Sequence, residues 1–119
     1  MEPAVEALFK SEVEAFESRA AEAAALLKAI GNEKRLLILC HLMAEGEASV
    51  SALVAKVGLS QSALSQHLAR LREDGLVEFR RAAQSVHYRV SDPRAARVIA
   101  LLRDIYCPEL SGKGASNDH

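Results

Sequence analysis

Two cysteines, Cys40 and Cys107, and four histidines, His41, His67, His87 and His119, are the side chains of this 119-residue chain best suited to react or to ligate a metal. A pair of thiols can close to a disulfide, attack an electrophilic sulfur, or share a soft metal with nitrogen ligands. Sequence spacing selects none of these, because the cysteines stand 67 positions apart and form no Cys-x-x-Cys. On the residues alone, Cys40 is equally an ordinary small core side chain and Cys107 an incidental terminal one. His41 adjoins Cys40, but neighbouring helical residues diverge by about 100°, so it reads as a surface histidine. No glycine-rich phosphate loop and no acid, histidine and nucleophile spacing stands out, and the chain reads as a binding protein rather than an enzyme.

The second chemical feature is a polar surface. In Leu59–Leu71, Leu64, Leu68 and Leu71 form a narrow helical seam, while Ser62, Gln66 and Ala69 lie nearly opposite, flanked by Ser65 and Arg70. One face packs and the other is free to enter a nucleic-acid groove. Serine and glutamine offer short or bidentate polar groups for base edges, glutamine matching the donor and acceptor of adenine. Gln61, Ser62, Ser65, Gln66 and His67 are therefore the candidate base-reading residues, with Arg70 at a phosphate or base. Ser60 reads better as a helix cap than as a base contact. Beyond it, Arg80, Arg81 and Arg89, with Gln84, fall on an alternating segment that can lie along phosphates, positioning rather than specifying.

Those residues need elements to hold them. Apolar positions Val5, Phe9, Val13, Phe16, Ala20, Ala23, Leu27 and Ile30 step by four and three, predicting one long helix or two collinear ones, with Pro3 in its first turn and Gly31 as a left-handed residue past its end. The seam is too long for intramolecular packing alone and suits a dimer interface. Asn32 caps a second helix, about Glu33 to Glu45, whose Leu36–Cys40 run is apolar on nearly all sides and is expected to be buried; Gly46 ends it. Ser49 or Ser51 starts a short third helix through Val57, and Gly58 stops it before Ser60 caps the reading helix, which completes a helix-turn-helix. After Gly75, the stretches 76–81 and 85–90 alternate as paired strands. Their tip, Ala82-Ala83-Gln84, lacks the residues of a tight primed turn and predicts a wider or mobile loop. Asp92-Pro93 opens a last helix running to Tyr106.

Composition agrees with one small, mainly helical domain. Half the residues are apolar, only 4% aromatic, and none is tryptophan, so the core must be aliphatic. The net charge of -1 does not advertise a polyanion binder, yet residues 1–30 carry six acids against three bases and residues 56–97 eight bases against four acids. The basic excess surrounds the reading helix. No apolar run near the start suits a signal or membrane segment, so a cytoplasmic protein with no membrane partner is expected. Residues 1–110 read as a single DNA-binding and dimerisation domain and 111–119 as a flexible polar tail.

This order resembles a winged helix-turn-helix domain, and its details resemble the ArsR family of small dimeric bacterial repressors, most specifically in Leu27–Leu39, Ser60–Leu71 and Asp74-Gly75-Leu76-Val77. Glu33 departs from the proline that the family often carries, which affects only the start of that helix. The resemblance implies a mainly α fold with a small β-hairpin, dimeric through the first and last helices, and a symmetric pair of reading helices on an inverted-repeat, double-stranded operator. It extends to the branch that senses persulfide and redox state and includes the biofilm growth-associated repressor. That likeness implies that Cys40 and Cys107 become joined by a disulfide or polysulfide link when a reactive sulfur species or other thiol oxidant arrives, and that the operator is then released. The ligand clusters of metal-sensing members are missing from the third and last helices, and no cofactor is expected, although a metal-responsive repressor using Cys40, Cys107 or His41 remains the alternative.

Overall fold

The computed structural model describes residues 12–108, which leaves Pro3, Val5, Phe9, His119 and the 111–119 tail outside the described residues. Residues 12–17 are helical, and a turn at Ser18-Arg19 separates them from α1 (Ala20–Ile30). The Ser18 hydroxyl donates to the Ala15 carbonyl at 3.1 Å and the Arg19 N–H to Phe16 at 2.8 Å, so the apolar seam runs over two helices. At its end Gly31 has φ -77°, not the left-handed value expected. Space is what requires glycine there: a Cβ would lie 2.9 Å from the Leu27 carbonyl, the acceptor of the Gly31 N–H.

In α2 (Glu33–Glu45), the Asn32 side chain accepts the N–H groups of Lys34 and Arg35 at 3.0 and 3.1 Å, the reciprocal need of a helix start. Arg35 Nε donates to the Ala29 carbonyl at 2.7 Å, binding α2 to the end of α1. Ile38, Leu39 and Leu42 are buried, but Leu37 is 38% exposed and Cys40 is exposed as well. The expectation of burial all round is thus corrected to a single buried stripe, because Leu37 and Cys40 share the helix side turned from the core.

The helix-turn-helix forms where the caps and glycines place it. In α3 (Val50–Val57), Ser49 caps the start by accepting the Ala52 N–H at 3.1 Å, and Gly58 stops the helix at φ 79°. Ser60 accepts the Ala63 N–H at 3.1 Å and opens α4 (Gln61–Glu73), whose Leu64, Leu68 and Leu71 are at most 1% exposed. They meet Leu53, Ile38, Leu39, Leu76 and Ile99 in one aliphatic core.

The sheet holds one strand more than the hairpin. β1 (Ala48–Ser49) pairs antiparallel with β3 (Ser85–Val90), and β3 pairs with β2 (Val77–Ala82), in the order β1-β3-β2. Two residues between a glutamate and a helix carry no alternating pattern, so β1 had no legible signal. The hairpin tip is also tighter than expected: Ala82 pairs with Ser85, leaving Ala83 and Gln84 as a two-residue turn. Ala83 supplies the positive φ, 57°, at the first turn position, where glycine normally serves. Strand pairing enforces the turn despite its residues.

The last helix, α5 (Pro93–Tyr106), starts as expected with Pro93 in its first turn and Asp92 as cap, Oδ1 accepting the Arg94 N–H at 2.8 Å. Asp92 is only 8% exposed, and the Arg94 guanidinium against it holds its carboxyl below the ordinary carboxylate range. Arg94 also reaches Glu22, tying α5 to α1. The backbone N–H groups of Ser91 and Asp92 donate to the Leu76 carbonyl at 2.9 and 3.4 Å. The start of α5 is therefore pinned just beyond the reading helix.

Candidate nucleic-acid interface and thiol pair

The leucine seam of α4 leaves the opposite face open: Gln61, Ser62, Ser65, Gln66 and Arg70 are exposed and His67 is half-buried. Arg70 makes one 3.3 Å contact with Asp74 a turn away, a surface pair weak enough to exchange for another anion. Gln61 and Ser65 line a cleft of about 300 Å³ with Gln84 of the hairpin turn and Ser51 of α3. Two elements distant in sequence thereby bring three of the candidate polar groups to one concavity.

The hairpin arginines do not form a single basic stripe. Antiparallel pairing places Arg81 opposite Val86 and Phe79 opposite Tyr88, while Arg80 opposes His87 and Glu78 opposes Arg89. Because successive side chains alternate, Arg81 shares the face of Phe79 and Tyr88, and Arg80 and Arg89 share the other. On that other face Arg80 donates from Nε and a terminal nitrogen to both oxygens of Glu47, each at 2.8 Å, and Arg89 pairs with Glu78. The Arg80 guanidinium holds the Glu47 carboxyl below its usual range. Arg81 has no acid partner among the described residues; its guanidinium carbon stands 5.8 Å from the Phe79 ring, and that of Arg72 stands 4.9 Å from the same ring. Glu47, Arg72 and Phe79 were missed by sequence reasoning. Phe79 and its cross-strand partner Tyr88 were recoverable from strand alternation, but nothing in sequence couples Glu47 to Arg80, 33 residues away.

Cys40 lies on α2 and Cys107 caps the end of α5, and those two helices pack together. Both thiols are free; Cys40 is exposed, correcting the expected burial, and Cys107 is half-buried with its N–H on the Arg103 carbonyl at 2.7 Å. The protein surrounding Cys40 nonetheless raises its thiol pKa, chiefly by withdrawing water from the thiolate and secondarily through the Cys107 sulfur. Among the described residues no three His, Cys, Asp or Glu side chains gather as a metal-binding group, and no helix is long and apolar enough to cross a membrane.

Residues 32–78 match the arsR family of bacterial regulatory proteins. The chain is 52% identical to the transcriptional activator HlyU of Vibrio cholerae over 91 residues, 76% of this chain and 83% of that protein. It is 46% identical to the biofilm growth-associated repressor of Agrobacterium fabrum over 93 residues, 78% of this chain and 79% of that one. The solved repressor BigR of Xylella fastidiosa superposes with a TM-score of 0.75 at 42% identity, covering 79% of this chain and 95% of the other. Reduced HlyU of Vibrio cholerae gives 0.74 at 50% identity, covering 79% and 98%.

Proposed function

Because the chain belongs to the arsR family of bacterial regulatory proteins, we propose that it is a dimeric repressor that holds an inverted-repeat operator while Cys40 and Cys107 are thiols and releases it once they are covalently joined. The observation that carries this reading is the packing of α5, which ends at Cys107, against α2, which bears Cys40, two positions far apart in sequence. One solved relative is described as reduced, and others are named repressors, which supports both halves of the proposal.

The chemistry needs only the two sulfurs and a donor. A thiolate of the pair attacks the outer sulfur of a persulfide RSSH, forming a protein persulfide and releasing RSH. The second thiolate then attacks the protein-bound inner sulfur and expels hydrosulfide, leaving a disulfide. If both cysteines are first persulfidated, their condensation releases hydrogen sulfide and leaves a trisulfide. No metal or further oxidant enters either route.

Contact with DNA is assigned to Gln61, Ser62, Ser65, Gln66 and His67 on α4, to Arg70 at its end, and to Arg81 and Gln84 on the hairpin, beside Arg80, whose fork is filled by Glu47. Dimerisation is supported by the large apolar side chains left exposed on the first and last helices: Val13, Phe16 and Leu27, and Leu101, Ile105 and Tyr106. An open groove of about 510 Å³ between α1 and α5, floored by Ala23, Leu26 and Val98, continues that surface. Two copies joined there present two reading helices to major grooves one turn apart, near 34–36 Å.

The link reaches DNA through α5. Its far end bears Cys107, and its near end is pinned by Ser91 and Asp92 to Leu76, directly after the reading helix. Tying Cys107 to Cys40 fixes the tilt of α5 on α2 and so the placement of both reading helices across the dimer axis. A hundredfold loss of affinity requires the two redox states to differ by roughly 2.7 kcal/mol in DNA binding, an ordinary allosteric coupling. Mass spectrometry of protein treated with a persulfide, glutathione disulfide or peroxide, paired with operator binding, is the test. Cys40→Ser and Cys107→Ser should each bind DNA and ignore the oxidant; release by both variants would end the dithiol reading, and release by stoichiometric zinc would replace it with a metal-responsive one.

A further inference from the structure

The outer face of the hairpin carries a charge arrangement that DNA contact by Arg80 does not explain. Arg80 is held fork to fork by a carboxylate from outside the hairpin, Glu47, at 2.8 Å through each oxygen, and Arg89 on the same face is matched by Glu78. Two acids and two arginines cancel, so apart from His87 this face of the sheet is neutral. A bidentate carboxylate is also the geometry with which a guanidinium meets a phosphate. The Glu47 and Arg80 side chains are 30% and 58% exposed, open to exchange with an incoming anion.

We propose that Glu47 is an intramolecular competitor for the DNA backbone, occupying the fork of Arg80 so that the sequence-independent attraction of the hairpin is held below what its arginines would otherwise supply. The inference rests on the DNA-binding reading above and makes Glu47 a positioning residue acting through Arg80. In physical terms it lowers affinity for all sequences by a similar factor. Attraction to phosphate strengthens binding to every sequence, so a regulator that keeps one such contact occupied lowers its background binding without touching the base-reading face of α4. Arg81, on the opposite face and without an acid partner among the described residues, is left as the freer cation of the hairpin.

The experiment compares reduced wild-type protein, Glu47→Gln, Arg80→Gln and the double variant on an operator duplex and on a scrambled duplex, by fluorescence anisotropy from 50 to 200 mM salt. Glutamine is isosteric with glutamate and shortens Arg80 while removing its charge, and equal melting temperatures show that the fold is retained. Releasing Arg80 onto one phosphate steepens the salt slope by about 0.9 per hairpin, so Glu47→Gln should lose roughly 3.5-fold more affinity across that range for each hairpin engaged, about 12-fold for two. Its affinity at 50 mM should rise on both duplexes by a similar factor, leaving the ratio between them nearly unchanged. In the Arg80→Gln background the Glu47 substitution should change neither slope nor affinity. An unchanged slope in Glu47→Gln, or an equal gain in both backgrounds, overturns the proposal, the latter by showing mere removal of a repelling charge. Wild-type protein that binds neither duplex overturns the DNA-binding reading itself and this inference with it.

Discussion

Replacing Asp92 by alanine should destabilise the protein by about 2 kcal/mol, the upper part of the range for removing a helix cap. The upper part applies because Asp92 is 8% exposed: once Oδ1 is gone, water is poorly placed to accept the Arg94 N–H that now donates at 2.8 Å. The Asp92–Arg94 ion pair adds little to this, since Arg94 is half exposed and keeps Glu22 as a partner. For a domain of this size the melting temperature should fall by roughly 10 °C, measured at fixed protomer concentration so that association does not confound the comparison. Asp92→Asn retains an acceptor for the Arg94 N–H and should cost less than about 1 kcal/mol. The pH dependence separates the cap from the charge. Arg94 pulls the Asp92 carboxyl below the usual carboxylate value, so the charge-dependent stability is fully present above about pH 5 and is lost as pH falls through the lowered folded-state pKa. Asparagine does not titrate, so the gap between wild type and Asp92→Asn should be constant near neutrality and close on acidification. Urea denaturation from pH 7 downward checks this. If Asp92→Asn is as unstable as Asp92→Ala at pH 7, or if its gap to wild type persists at acid pH, the division between cap and charge is wrong.

Two substitutions probe the hairpin. Ala83→Gly should stabilise the protein by about 0.5 kcal/mol, because relief of the left-handed φ of 57° outweighs the extra backbone entropy of glycine; a lowered melting temperature would contradict this. Arg81→Ala should weaken binding to operator and scrambled DNA alike and flatten the salt slope by about 0.9 per hairpin, and an unchanged slope in anisotropy titrations would remove Arg81 from the phosphate contacts.

Much of the reading head was legible because its signals are local. Asn32, Ser49, Ser60 and Asp92 cap helices through side chains that reach only two or three residues ahead, so their meaning survives in the sequence. The leucine period of α4 needs only the helix geometry to reveal which face packs. Gly31 was placed correctly at a helix end but for the wrong reason, since the crowding by the Leu27 carbonyl depends on a backbone path that residue type does not report. Cys40 was misjudged because an apolar run does not disclose which neighbours a helix will meet.

The sequence by itself determined the order of helices, the polar face of Leu59–Leu71 and, through the likeness of its motifs, the arsR family. Each rests on interactions within a few residues or on patterns repeated along one element. Only the tertiary structure decided which charges meet and which helix faces pack. Strand pleat and pairing put Arg80 and Arg81 on opposite faces and delivered Arg80 to Glu47, and α5, which ends at Cys107, packed on α2, which bears Cys40. Such contacts are made by the closure of the aliphatic core, whose many small apolar contributions hold distant segments in register and whose outcome no single stretch of sequence contains.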